Sequence, residues 1–346
     1  MSDTPSYDAP QPDAPAYDAS GDDFLTDPAP RRRRFGGWLR RRFSGGTLMR
    51  IALGILILLL LYYPVGMIVM HKVDDNPAFD AADVPEGASH AIALAADLIE
   101  REVDENGWRA NDPFFLPSAA LDNMPNFQQG IMAAMARFAV EMTDQIGRAR
   151  GSSQADPDLE KAVGLLKYSG TIWIFDFSTS WAPTASSEQQ YREGVRRLRA
   201  YNERLAAGRA SFERRADNLL ATLERIASDL GSASAEIDQR VLHGGGVLFD
   251  FTSDDVYYRA KGKLYGYALL IRALERDFAD VIVERSLSTV WNEMEESLFA
   301  AAELQPWMVV NGSPESQVLP SHLASQGFFL LRARVQMREI ANILLK

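Results

Sequence analysis

The stretch IALGILILLLLYYPVGMIVM, residues 51–70, contains no charged side chain, with Arg50 before it and His71 and Lys72 after it. Twenty residues of helix rise about 30 Å, the thickness of a bilayer's hydrocarbon core. In lipid only a helix or a closed barrel satisfies its own backbone, and one segment cannot close a barrel. The stretch therefore predicts a single transmembrane helix. Pro64 and Gly66 interrupt its outer third, and Tyr62 and Tyr63 lie where an aromatic belt would begin.

The flanks give this helix a direction. Eight arginines precede it, among them Arg40, Arg41, Arg42 and Arg50, and residues 31–50 hold no acid. After it come Asp74, Asp75, Asp80, Asp83 and Glu86, opposed only by Lys72. Basic flanks stay in the cytoplasm, so the expectation is a cytoplasmic N-terminus and a periplasmic C-terminal domain. The apolar run is too long and starts too late for a cleaved signal peptide, so an uncleaved signal anchor fits better.

The formal charge of −11 is unevenly shared. Residues 1–50 carry seven acids and eight arginines, which leaves −12 for the rest. So acidic a domain argues against nucleic acid or an anionic membrane surface as its main partner, and the arginine cluster reads first as a topology determinant beside anionic headgroups. The chain has no cysteine, which excludes disulfides, thiolate metal sites and cysteine nucleophiles. Residues 1–30 are rich in Pro, Asp, Ala and Ser, too polar to offset the entropy of ordering, and read as a disordered tail.

Residues 71–88 read as a Pro- and Asp-rich linker and 89–346 as a helical domain. Ser89 is placed to cap a first helix, Asp156–Pro157 forms a cap followed by a first-turn proline, and Ser321 caps the last helix. From Ser187 to about Leu230, Tyr191, Leu198, Leu205, Phe212, Leu219 and Ile226 hold one heptad position. That period predicts one long coiled-coil-like helix packed along a partner. TIWIFDFS (171–178) and VLFDFT (247–252) are rich in β-branched and aromatic residues and are candidates for two short strands.

Catalytic patterns are scarce. The four histidines lie in no metal-binding spacing, and glycine loops of the phosphate-cradling kind are missing. His243 with three following glycines resembles an oxyanion loop, but no Gly-x-Ser-x-Gly elbow accompanies it. Asp176 and Asp250, each between two phenylalanines, read first as turn-capping carboxylates and second as an acid–base pair. Phe114, Phe115, Trp181 and Trp307 are candidate contact aromatics on loops. No cofactor or metal is expected.

The anchor, the Phe-Asp-Phe segments and the closing QGFFLLRARVQMREI together resemble a family of bacterial inner-membrane proteins, domain-of-unknown-function family 2333. The resemblance runs from about Arg40 to the C-terminus. It implies an envelope location in a Gram-negative bacterium and brings no reaction or catalytic residue with it. The expected function is a membrane-anchored periplasmic scaffold or binding module, held by lipid through its anchor and paired with an envelope protein. The alternative is a periplasmic hydrolase acting on cell-wall or lipid material through Asp176 and Asp250.

Overall fold

The computed structural model describes residues 45–146, 155–176, 181–243, 251–313, 315–316 and 319–346. These residues are mainly helical, with one isolated bridge, Asn311 to Ser321, and no strand among them. The chain divides into a unit ending at Leu56 and a unit from Ile57 to Lys346, which holds the C-terminal part of the first helix and all that follows.

Helix α1 (Gly45–Met70) is long and apolar enough to cross a membrane from Gly46 to Met70, and that window is not buried against protein. Helices α2 (His90–Glu100), α3 (Asn123–Glu141), α4 (Pro157–Leu166), α5 (Ser187–Ala206) and α6 (Ala216–His243) follow. The chain ends with α7 (Phe251–Asp277), α8 (Ala279–Glu284), α9 (Ser288–Ala302) and α10 (His322–Leu344). Single π-turns extend α2 and α3, at Arg101–Glu105 and Met142–Ile146.

Helix α7 is the centre of the domain, packing against α2, α3, α6, α9 and α10. From Leu264 to Leu274 almost every residue is buried on all sides, as a helix in the middle of a core must be. Its closest partner is α3, and the approach depends on glycine. A Cβ on Gly130 would overlap the carbonyl oxygen of Arg259, and one on Gly262 would overlap that of Phe127. Phe127 and Tyr265 stack beside this crossing with ring centroids 5.7 Å apart.

The local start signals hold. Ser89 Oγ accepts from Ile92 N, Asp156 from Asp158 N with Pro157 in the first turn, and Ser321 from Ala324 N. Asp277, on the last turn of α7, supplements the first of these caps: its carboxylate accepts from Ser89 Oγ at 2.6 Å, His90 N at 2.8 Å and Ala91 N at 3.0 Å.

Two expectations are corrected. The long heptad helix is two helices, α5 and α6, with residues 207–215 between them. Gly208 takes φ +68°, and the closing turn is bonded from Gly208 N to Leu205 O at 3.0 Å and from Arg209 N to Arg204 O at 2.7 Å. Glycine takes this left-handed conformation without steric cost and so ends helices. All six heptad residues are nevertheless buried, because α5 packs on α2 while α6 packs on α10 and α7. Asn202, the polar break in the heptad, holds Ser89 through N–H and C=O bonds of 2.8 and 3.0 Å.

The second correction concerns the strands. Residues 171–176 form turns and irregular chain with no partner strand; their backbone is satisfied instead by Thr184 N on Ile174 O at 2.8 Å and Ser187 N on Ile172 O at 3.0 Å. Of the other candidate, Phe251 and Thr252 open α7, and residues 247–250 lie outside the described residues.

Candidate functional site at the end of helix α1

The segment between α1 and α2 is tied to the domain almost residue by residue. Lys72 N approaches Met124 Sδ at 3.2 Å, Arg101 donates to Asp74 O at 2.9 Å, and Tyr265 OH donates to Asn76 O at 2.7 Å. Asp75 pairs with Lys261 Nζ at 2.7 Å and accepts from Gln305 at 3.0 Å. Arg272 donates to Pro77 O at 2.5 Å, Arg276 pairs with Asp80 at 2.5 Å, and Ala82 N donates to Asp97 at 2.9 Å. Lys261 and Arg101 are both buried. Burial lowers the Lys261 pKa, and the Asp75 carboxylate acts against that shift. Buried charges are kept only when paired and hydrogen-bonded, so these two cations fix where the segment lies. The Arg101 guanidinium also lies 4.5 Å from the centroid of the Phe79 ring.

Beside this segment three carboxylates converge from two helix starts. Asp122 caps α3, accepting from Asn123 N at 2.9 Å, and Asp254 and Asp255 stand in the first turns of α7. With its amide nitrogen turned toward them, Asn123 donates to Asp254 at 2.6 Å and to Asp122 at 3.1 Å. Burial, followed by repulsion from Asp122 and Asp255, pushes Asp254 up to about 7. Asp255 is raised by burial and then by the charge of Asp122, and held back by Arg259 and by Asn126, which donates to it at 2.6 Å. Burial lowers His71, opposed by the charge of Asp122. A carboxyl group titrating near neutrality can donate a proton where an ordinary Asp cannot. Among the described residues no three His, Asp or Glu side chains are placed to hold a metal ion.

The candidate aromatics are all exposed: Phe114 at 85 %, Phe115 at 49 %, Trp181 at 85 % and Trp307 at 99 %. Phe114 touches Phe115, Phe115 touches Trp173, and Trp173 touches Phe175, with edge-to-face centroid distances of 5.4–5.9 Å. Tyr62 OH of α1 donates to Phe115 O at 3.1 Å and Tyr63 OH to Phe114 O at 2.5 Å. A shallow depression lined by His71, Lys72, Tyr258 and Pro306 adjoins Trp307 in the chain. Asp176 is half-buried near this aromatic run, whereas Asp250 lies outside the described residues, as do Arg40, Arg41 and Arg42. Arg50 is exposed on α1. No local sequence pattern marks the Asp122–Asp254–Asp255 cluster, because Asp122 is far from the 254–255 doublet in the chain.

Comparison with known proteins adds the family. The profile described as "Uncharacterized protein conserved in bacteria (DUF2333)" matches residues 38–243, from the basic flank of α1 to the end of α6. The match stops short of α7–α10, which the resemblance read in the sequence had included. No curated protein and no solved structure matches the chain. A match covering more than half of the 346 residues establishes the relationship: the chain belongs to the bacterial DUF2333 family.

Proposed function

We propose that this protein is a membrane-anchored, non-catalytic scaffold or binding module of the Gram-negative envelope. Helix α1 crosses the inner membrane with its arginine-rich flank in the cytoplasm, and the helical domain stands in the periplasm against that membrane. The charge asymmetry around α1 and the bacterial family support this orientation. The pinned segment after α1 makes the anchor a rigid mount rather than a loose tether.

The observation that carries the binding role is on α10. Phe328, Leu331 and Val335 follow one another at helical spacing and are 54–62 % exposed, while Leu323, Leu330, Ala333, Met337 and Ile340 of the same helix fill the core. Three such side chains form an apolar patch on the order of 300 Å², the lower end of the size of the largest patch on a typical monomer, which is often functional. An amphipathic helix of an envelope protein would cover it. A photoreactive residue in place of Leu331 tests the role in cells. A discrete protein adduct that Phe328→Glu abolishes is expected; labelling of lipid alone, unaffected by Phe328→Glu, would remove the binding role.

A hydrolase is the second reading, and Asp254 is the observation that favours it. Its near-neutral carboxyl lies beside other carboxylates at the membrane edge, where lipid headgroups or cell-wall precursors could reach it. Asp254→Asn separates the two readings: it abolishes a hydrolase phenotype and leaves a scaffold's intact.

A further inference from the structure

We propose that the loop 113–117, PFFLP, is inserted in the extracytoplasmic leaflet of the bilayer that α1 crosses, with lipid tails as its occupant. This rests on the reading of α1 as a membrane span. The geometry points to it through the level at which the loop meets the helix. The carbonyls of Phe114 and Phe115 are held by the hydroxyls of Tyr63 and Tyr62. Tyr63 lies seven residues before the helix end at Met70, which is about 10 Å along the axis at the rise of an α-helix. Side chains lean toward the helix N-terminus, so the hydroxyls do not lie higher than their own Cα atoms. Pro117 reaches the same helix further on, directly over Gly66, where a Cβ would overlap its ring.

The other face of the same turns is apolar and open: Val65, Ile68 and Val69 are 53–79 % exposed, and all three lie closer to the helix end than Tyr63. If lipid covers those aliphatic side chains, it also surrounds a loop that meets the helix deeper than they do. If water covers them, the last two turns of α1 present bare Val and Ile side chains to it. The carbonyls of the loop are spared the cost of leaving water, while the N–H groups of Phe114 and Phe115 find no acceptor among the described residues and keep the loop near the headgroup level. Irregular backbone at membrane depth is tolerated only where protein covers it or it lines a wet cavity, and α1 covers this loop through Tyr62, Tyr63 and Gly66. Every carbonyl from 113 to 116 has a donor: Leu116 N for Pro113, the two tyrosines for Phe114 and Phe115, and Ala119 N for Leu116. Both ends of the loop are prolines, which have no N–H to leave unpaired, and no residue in it is charged. Phe114 points outward, and Trp173 backs Phe115.

The absence of native cysteine allows single-cysteine spin labels in the full chain. Phe114→Cys, Phe115→Cys, Leu58→Cys in the apolar span and Val283→Cys on exposed α8 are reconstituted in phosphatidylethanolamine/phosphatidylglycerol vesicles. Collision with oxygen is then compared with collision with a water-soluble nickel chelate. The expected result is a several-fold higher oxygen-to-nickel ratio at 58, 114 and 115 than at 283, with 114 shallower than 58. A lipid signature at 58 with 114 and 115 as nickel-accessible as 283 overturns the insertion and leaves the span standing. Nickel access at 58 overturns both.

Discussion

Replacing glycine by alanine should have opposite effects at two helical positions of this domain. Gly164, in α4, has open space where a Cβ would go. Gly262, in α7, has the carbonyl oxygen, carbonyl carbon and Cα of Phe127 there, all backbone of α3. Alanine in a helix interior gains about 1 kcal/mol over glycine through backbone entropy. At Gly164 that gain is uncontested, so Gly164→Ala should stabilise by about 0.5–1 kcal/mol. At Gly262 the added methyl requires α3 and α7 to separate at their tightest point. Overpacking of a dense core costs about 1–3 kcal/mol, and more where no flexible side chain can yield. The net effect of Gly262→Ala is a loss of about 2 kcal/mol, or about 4–8 °C of Tm for a domain of this size. Gly130→Ala, facing the carbonyl of Arg259 across the same crossing, should lose as much. Because the helices need separate only once, the double variant should lose less than the sum of the two. Thermal unfolding of the full chain in detergent, followed by far-UV circular dichroism, measures all four proteins. A Gly262→Ala protein as stable as wild type, or fully additive losses at 130 and 262, would refute the described α3–α7 crossing.

Two further predictions concern charge. Asp254 has its folded pKa raised from 3.8 to about 7, so its contribution to stability is fullest below pH 4 and is lost as pH rises through 7. Undiscounted, that shift is worth about 4 kcal/mol, and partial solvent access reduces it to about 1–2 kcal/mol. Asp254→Asn should therefore leave stability at pH 4 nearly unchanged and raise it by that amount at pH 8; equal effects at both pH values in urea titrations would contradict the cluster. Asp75→Leu strands the Lys261 ammonium on the carbonyl of Leu304 and should cost about 3 kcal/mol. Adding Lys261→Met should recover much of that loss, and a double variant weaker than the single would show that the pair does not work as a unit.

The parts of this fold that were legible in the sequence are those fixed within a few residues. The caps at Ser89, Asp156 and Ser321 depend on a side chain and an N–H two or three positions away. The long apolar helix α1 needs only length and the absence of charge. The errors have longer range. The heptad keeps phase across Gly208, so periodicity alone could not reveal that α5 and α6 bury their stripes against different partners. TIWIFDFS has strand composition, but a strand needs a neighbour to pair with, and here Ser187 and Thr184 take its backbone bonds instead. The segment after α1 looks like a linker because it is polar and proline-rich; besides Arg101 of the next helical turn, its partners Lys261, Tyr265 and Arg272 come from a helix far along the chain. The Asp122–Asp254 encounter is likewise set by the α3–α7 crossing, which the sequence marks only by scattered glycines.

Everything proposed about function depends on α1 crossing the inner membrane with the helical domain outside. In the cysteine-free chain, Ser20→Cys and Val283→Cys can be labelled in whole cells with a membrane-impermeant maleimide after the outer membrane alone is permeabilised. The account predicts labelling at 283 in these cells and labelling at 20 only after the inner membrane is broken. Labelling at 20 in intact spheroplasts, with 283 protected until lysis, would contradict it.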